Sequence, residues 1–126
     1  MPEGDTLYRA AAQARVHMLN HVIIECETSL PTIDPTRISG AKLTVCKSIG
    51  KHLLMQFGGE VWLHTHLGMN GRWRFAKGRA QVTANRGPKR IVLRTAAATA
   101  WCFGAPTMAL LTHSQLARHP VLSNLG

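Results

Sequence analysis

The chain has 126 residues, enough for one domain with one modest core. Hydrophobic residues make up 45% of it, which excludes a disordered chain, and no apolar stretch is long enough to span a bilayer. Fifteen Lys and Arg stand against six Asp and Glu, a formal net charge of +9 that points to a polyanionic partner: DNA, RNA or a membrane surface.

In chain order, Leu7, Ala10, Ala11, Ala14 and Met18 fall on one helical stripe, with Asp5 or Thr6 available to cap its start and Asn20 to end it. The period then changes to two. His21 to Glu27 is predicted as a strand carrying Val22, Ile23 and Ile24, and Pro31, Asp34 and Pro35 break the chain before one helical turn at Thr36 to Ile38. Strands are expected at Ala41 to Ser48, with Leu43 and Val45 on one face, at His52 to Phe57 and at Val61 to His66. Gly58-Gly59 joins the last two as a tight hairpin. Arg72 to Phe75 is another short strand, and Ala76 to Pro88 reads as a basic loop. Arg90 to Thr95, Ala98 to Phe103 and Thr107 to Leu111 complete the strands, and Ser114 to Arg118 gives a last helical turn. About eight short strands at close spacing, with an N-terminal helix and a short C-terminal one, predict a mainly β domain, a sandwich or barrel. No repeat or linker divides it.

The basic residues are spread through the sequence rather than gathered in a tail, so a folded basic face is expected. Cys26, Cys46 and Cys102 are odd in number and far apart, with no C-x-x-C spacing; no zinc site is encoded by them and they read as reduced. Pro2-Glu3-Gly4-Asp5 is the wrong start for a signal peptide, so a reducing intracellular compartment, the cytoplasm and its nucleoid, is expected.

The start carries chemistry of its own. Removal of Met1 leaves Pro2 with a free secondary amine, whose ordinary pKa of about 8 keeps part of it unprotonated near neutrality. Attack on an aldehyde-level carbon gives an iminium that is cationic without a proton and withdraws electrons from neighbouring bonds. Glu3 stands next to it as a proton donor or acceptor. The helix that follows at once would seat the terminus against the domain. On its own, Met-Pro-Glu is also an ordinary start.

Three further motifs accompany it. In Ser48-Ile49-Gly50-Lys51-His52-Leu53-Leu54, a lysine lies between a glycine turn and an apolar strand, suited to a phosphate or simply pointing into water. In His64-Thr65-His66-Leu67-Gly68-Met69-Asn70-Gly71, a strand runs into a glycine-bounded turn. Its two histidines share a strand face; as metal ligands they lack a third, and a phosphate contact suits the charge better. Met69 at the loop tip is either packed beneath the loop or a flexible wedge for a base stack. In Arg72-Trp73-Arg74-Phe75, the arginines face one side and the aromatics the other, the basic side able to track phosphates.

Together these pieces resemble the amino-terminal domain of the formamidopyrimidine-DNA glycosylase / endonuclease VIII family. The likeness is carried by Pro2-Glu3-Gly4-Asp5-Thr6, by Gly50-Lys51-His52-Leu53-Leu54, by His64 to Gly71, and by the closing Leu122-Ser123-Asn124-Leu125-Gly126. Gly4-Asp5-Thr6 and His64-Thr65-His66 are closer to the endonuclease VIII-like branch. The resemblance implies a β-sandwich flanked by helices, residues 1–126 forming the catalytic amino-terminal domain. It also implies a bifunctional DNA N-glycosylase and abasic-site lyase of base-excision repair, acting on oxidised bases, pyrimidines by preference. Pro2, Glu3 and Lys51 are then the catalytic residues, and His66, Met69, Asn70, Arg72 and Arg74 the DNA-binding ones. Pro2 attacks C1′, Glu3 protonates the sugar ring oxygen, Lys51 and His66 hold the flanking phosphates, and Met69 fills the gap left by the everted nucleotide.

Damaged DNA is the implied partner, with no membrane and a monomeric chain, and no cofactor is implied for this domain. The family's helix-two-turn-helix domain and the zinc finger that holds its structural zinc are expected to be absent from this chain. Two features depart from the formamidopyrimidine branch: Thr6 stands where that branch has a second carboxylate, and Trp101-Cys102-Phe103-Gly104 lacks its arginine. Phe103 is then either an intercalating residue or a buried strand aromatic. The competing readings are a non-catalytic DNA-binding remnant and, more weakly, a basic RNA-binding barrel.

Overall fold

A computed structural model describes the backbone at 3–28, 30–49, 52–59, 61–66, 72–78, 89–104 and 107–118, with the side chains of 3–7, 89, 90 and 107 excepted. The first element is α1 (Glu3–His17). Ala10, Ala11, Ala14 and, just past its end, Met18 are buried, so the predicted stripe is the face that meets the core. The helix begins earlier than the expected cap. Glu3 is already helical, and Asp5 and Thr6 lie inside the first turn, where an acidic residue complements the positive end of the helix dipole. After His17 the chain turns, and Asn20 at φ 68° takes the left-handed conformation that Asn tolerates better than most residues.

The strand predicted from His21 to Glu27 divides in two. Ile23 is buried, while Val22 and Ile24 are exposed. Asn20 N–H bonds Leu43 O, Ile23 N–H bonds Ala41 O and Leu43 N–H bonds His21 O, so this stretch runs beside the start of a different strand. Ile24 N–H then bonds Arg94 O and the chain enters β1 (Glu25–Thr28). The segment thus crosses from one sheet to the other, which its alternating pattern cannot reveal. Asp34 caps a 3-10 turn at Pro35–Arg37, its carboxylate accepting from both the Thr36 N–H and hydroxyl. Those two bonds, with Arg37 assisting, hold the Asp34 carboxyl below its ordinary pKa.

The remaining strands are β2 (Leu43–Ile49), β3 (His52–Phe57), β4 (Val61–His66), β5 (Arg72–Lys77), β6 (Lys89–Arg94), β7 (Ala98–Phe103) and β8 (Thr107–Thr112), followed by α2 (His113–Ala117). They form two antiparallel four-stranded sheets, in the order β1-β6-β7-β5 and β2-β3-β4-β8. Leu43, Leu53, Met55, Phe57 and Leu63 of one sheet meet Trp73, Ile91, Leu93, Ala100 and Cys102 of the other, and α1 lays its small-residue face into the same core. The sandwich expected from the sequence is therefore present, with eight strands among the described residues.

One strand departs from simple alternation. A register shift between Leu43 and Val45 sends Leu43 into the inter-sheet core and Val45 to the opposite face. There Val45, Ile49, Leu111 and Leu116 pack around Leu54 and Trp62 in a smaller cluster. α2 is fastened over this cluster by a capping box between Thr112 and Gln115 and by the Trp62 indole N–H, which donates to His113 Nδ1 at 3.3 Å.

Gly58 and Gly59 follow β3 at φ 64° and 76°. A Cβ on Gly59 would meet nothing within 4 Å, so backbone conformation alone demands glycine there. Gly59→Ala is expected to cost about 1–2 kcal/mol in urea unfolding, with an unchanged denaturant slope.

Candidate functional site

The registers identify one end of the sandwich at which the chemistry-bearing segments meet. Ile49 pairs with His52, so β2 and β3 meet at residues 49 and 52 on either side of Gly50 and Lys51 in the sequence, and His52 pairs with His66 at the end of β4. His66 in turn pairs with Thr107. On the other sheet Arg72, the first residue of β5, pairs with Phe103, which pairs with Lys89. The connection 67–71 joins His66 directly to Arg72, so the two sheets present these residues at the same end.

The helix points the same way. Its C-terminal side is held at the far end of β2, through Asn20 N–H to Leu43 O at 2.8 Å and Arg15 Nη1 to Cys46 O at 2.7 Å. From Arg15 back to Glu3 is about 18 Å of helix, ample to reach the Ile49 end of the strand. The N-terminal end of α1 is therefore carried toward the 49–52 turn. At the other end of α1 the His17 ring stacks on Phe75 of β5, in the second sheet, at 6.2 Å.

Pro2, Lys51, Met69 and Asn70 lie outside the described residues, as does the side chain of Glu3. His66, Arg72 and Arg74 are described. His66 and Arg72 are half-buried and Arg74 is exposed. Arg72 and Arg74 occupy the outer face of β5, whereas Trp73 is buried in the inter-sheet core and Phe75 packs against it at 6.1 Å, as the alternation predicts. β5 continues to Lys77, two residues into the stretch expected as loop. Phe103 is buried at 8% exposure, on the face that its cross-strand partner Arg72 occupies.

The histidines are organised more closely than the His64-Thr65-His66 spacing suggests. His52, which the sequence offered only as a neighbour of Lys51, joins them. Its Nδ1 lies 2.8 Å from Nε2 of His64, a hydrogen bond in which one ring donates and the other accepts. Its ring centroid is 5.0 Å from that of His64 and 5.3 Å from that of His66. His64 is 6% exposed. The signal that could have found His52 is the pairing of β3 with β4: counting five residues into each strand from the Phe57–Val61 pair that closes the hairpin places it opposite His66. Among the described residues no group of three or more His, Cys, Asp or Glu is arranged to hold a metal ion.

The cysteines take no part. None of the three forms a disulfide; Cys46 and Cys102 are buried and Cys26 is half-buried. Burial pushes the Cys26 thiol up to about 12, with Glu27 adding to the effect. Burial does the same to Cys46, also to about 12, against the opposing charge of Arg15. Neither thiol is a nucleophile at neutral pH. Across the sandwich, Arg94 of β6 bridges Glu25 at 3.3 Å and Glu27 at 2.7 Å, tying down the edge strand β1. No described helix is long and apolar enough to cross a membrane.

Comparison with known proteins agrees with this geometry. The chain is 38% identical over 96 residues to DNA-(apurinic or apyrimidinic site) lyase Nei2 of Mycolicibacterium smegmatis, covering 76% of this chain and 36% of that protein. It is 30% identical over 128 residues to Endonuclease 8 of Klebsiella pneumoniae, covering all of this chain and 48% of that protein. The chain thus spans less than half the length of these relatives. The fold matches the Lactococcus lactis Fpg solved in complex with an abasic site containing DNA, with a TM-score of 0.71 at 20% identity over 91% of this chain and 45% of that one. Residues 1–107 match the family described as the formamidopyrimidine-DNA glycosylase N-terminal domain. With relatives named as endonuclease 8 and an eight-stranded sandwich of the same architecture, the chain belongs to that family, on its endonuclease VIII-like side.

Proposed function

We propose that residues 1–126 act as the catalytic amino-terminal domain of a DNA glycosylase and abasic-site lyase, with the nitrogen of Pro2 as nucleophile. The observation that carries the reading is convergence within a family member. The start of α1, the ends of β2 and β3 on either side of Lys51, and the strand ends flanking the connection that carries Met69 and Asn70 gather at one end of the sandwich. The net charge of +9 suits a polyanionic substrate, and the relatives' names suit damaged or abasic DNA.

In this reading the unprotonated Pro2 amine attacks C1′ of an oxidised nucleotide, a pyrimidine by preference. The glycosidic bond breaks and its electron pair leaves with the base. Glu3 protonates the sugar ring oxygen, the C1′–O4′ bond opens, and an iminium joins Pro2 to the sugar. Its positive charge acidifies C2′. Loss of that proton expels the 3′ phosphate, and a second elimination expels the 5′ phosphate. The iminium itself is the electron sink, so the scheme draws on no added cofactor. Lys51 and His66 hold the flanking phosphates, and Arg72 and Arg74 extend the contact along the backbone. Met69 fills the gap left by the everted nucleotide, and Asn70 binds DNA beside it.

The test is reductive trapping. The chain with Met1 removed is expected to form a borohydride-stable adduct with abasic DNA, and peptide mapping is expected to locate it at Pro2. An adduct undiminished in Pro2→Gly with an acetylated terminus overturns the assignment. DNA binding without any adduct assigns the chain instead to a non-catalytic role on DNA.

A further inference from the structure

Aromatic side chains in this fold serve packing, with one exception. Of three Trp, three Phe and one Tyr, only Tyr8 is exposed, at 61%; every other one is buried or half-buried. Tyr8 lies in the second turn of α1, and the reaction scheme gives it no task. We propose that Tyr8 is a further DNA-binding residue: on the flank of the site formed by α1 and β2, its ring lies against the sugar–phosphate backbone and its hydroxyl donates to a phosphate oxygen. The proposal rests on the reading of this end of the sandwich as the DNA site, and it concerns binding rather than the covalent step.

Helix geometry places the ring. Tyr8 lies about two turns before Arg15, so the two side chains share a face of α1 about 10 Å apart along its axis. Arg15 Nη1 donates to Cys46 O at 2.7 Å, and just past the helix Asn20 N–H donates to Leu43 O at 2.8 Å. Residues 20 and 15 thus stand beside residues 43 and 46. The helix and β2 run in opposite directions, with the Arg15 face against the strand. From Arg15 back to Tyr8 the helix advances by about the length of three strand residues, which carries it from Cys46 to Ile49. Tyr8 is therefore level with the last residue of β2, where the start of α1 and the ends of β2 and β3 come together.

The side chain and its setting suit a nucleic-acid backbone. A single exposed apolar residue is common on protein surfaces, and Val16 near the other end of α1 is one, at 76% exposure. Tyr8 differs in standing beside the site and in carrying a donor. A flat ring with two side-chain torsions packs on a sugar at small entropic cost, and a phenolic hydroxyl donates well to phosphate oxygens. Arg9 and Arg15 accompany it on the helix, in a chain of net charge +9. A protein partner would be met by clustered apolar side chains. The other large hydrophobics exposed among the described residues, Val16, Val22 and Ile24, lie at the far end of the sandwich, around the end of α1 and the start of β2. Tyr8 stands apart from them, at the end where DNA is read to bind.

Tyr8 is the single tyrosine of the chain, so the ring signals of ¹³C-tyrosine-labelled protein report on it alone. Titration with a duplex holding a tetrahydrofuran abasic analogue is expected to move those signals in step with binding. Tyr8→Ala is expected to raise the dissociation constant about tenfold. Tyr8→Phe keeps the ring and removes the donor, and is expected to raise it about threefold. Val16→Ala is expected to leave it unchanged. Both Tyr8 variants change an exposed position and are expected to fold, which urea unfolding checks; the labelled unmodified chain gives its answer without them. Ring signals that stay in place while DNA binds overturn the proposal, as does an affinity of Tyr8→Ala within about twofold of the unmodified chain. Ring signals that move without a borohydride adduct remove the Pro2 assignment and leave this one standing. An adduct formed while the ring signals stay in place does the reverse, and absence of any binding removes both.

Discussion

A chain that keeps Met1 is expected to give no borohydride-stable adduct at Pro2 with abasic DNA, whereas the same chain after Met1 removal gives one. In the unprocessed chain the Pro2 nitrogen is a tertiary amide. Its lone pair is delocalised into the carbonyl, and a nitrogen already acylated cannot condense to an iminium. The loss at Pro2 is therefore complete rather than graded, any residual trapping belonging to the displaced Met1 amine, and intact mass measured on the same sample assigns each outcome to one species. A second variant separates chemistry from position. A glycine inserted before Pro2 leaves a free amine but displaces it by up to about 3.5 Å. Because α1 is helical from Glu3 and anchored through Arg15 to β2, the terminus has little slack to recover that distance. A displacement beyond 1 Å is expected to slow trapping by about 100-fold or more. An undiminished adduct from the Met1-bearing chain would move the nucleophile elsewhere, with Lys51 the first alternative.

Much of the fold was legible in the sequence, for identifiable reasons. β3, β4 and β7 fall at the expected residues because each is a short apolar run closed by glycine or a turn. The stripe of Ala10, Ala11, Ala14 and Met18 gave the buried face of α1 directly. What escaped depends on partners distant in sequence. Val22 to Ile24 alternates like one strand, yet its hydrogen bonds go to Ala41, just before β2 of one sheet, and to Arg94 in β6 of the other. Leu43 and Val45 separate because a register shift intervenes, and nothing local marks it. The same limit applies at the site. Pro2, Glu3, Lys51, His66 and Met69 stand in motifs whose chemistry can be argued residue by residue. His52 acquires its meaning only from the β3–β4 register, which sets it beside His64 and His66.

Phe57→Ala is expected to lower stability by about 3–5 kcal/mol, a large fraction of the roughly 5–15 kcal/mol typical of a domain. Phe57 is 1% exposed, sits between Leu43 and Val61 in the register, and belongs to the cluster that joins both sheets and α1. Truncation removes a ring's worth of buried area and leaves a cavity that flanking β-strands close only in part. Urea unfolding measures the loss, with Val16→Ala as control: that side chain is 76% exposed and its removal is expected to stay within about 0.5 kcal/mol. The substitution also tests whether the core and the chemistry are separable. Five residue steps of β3, about 17 Å, separate Phe57 from His52 at the site end. The folded fraction of Phe57→Ala is therefore expected to trap abasic DNA at the rate of the unmodified chain. A rate that falls for molecules still folded would mean that the Lys51 turn takes its position from the packing of the whole strand, not from the local hairpin and the histidine contacts beside it.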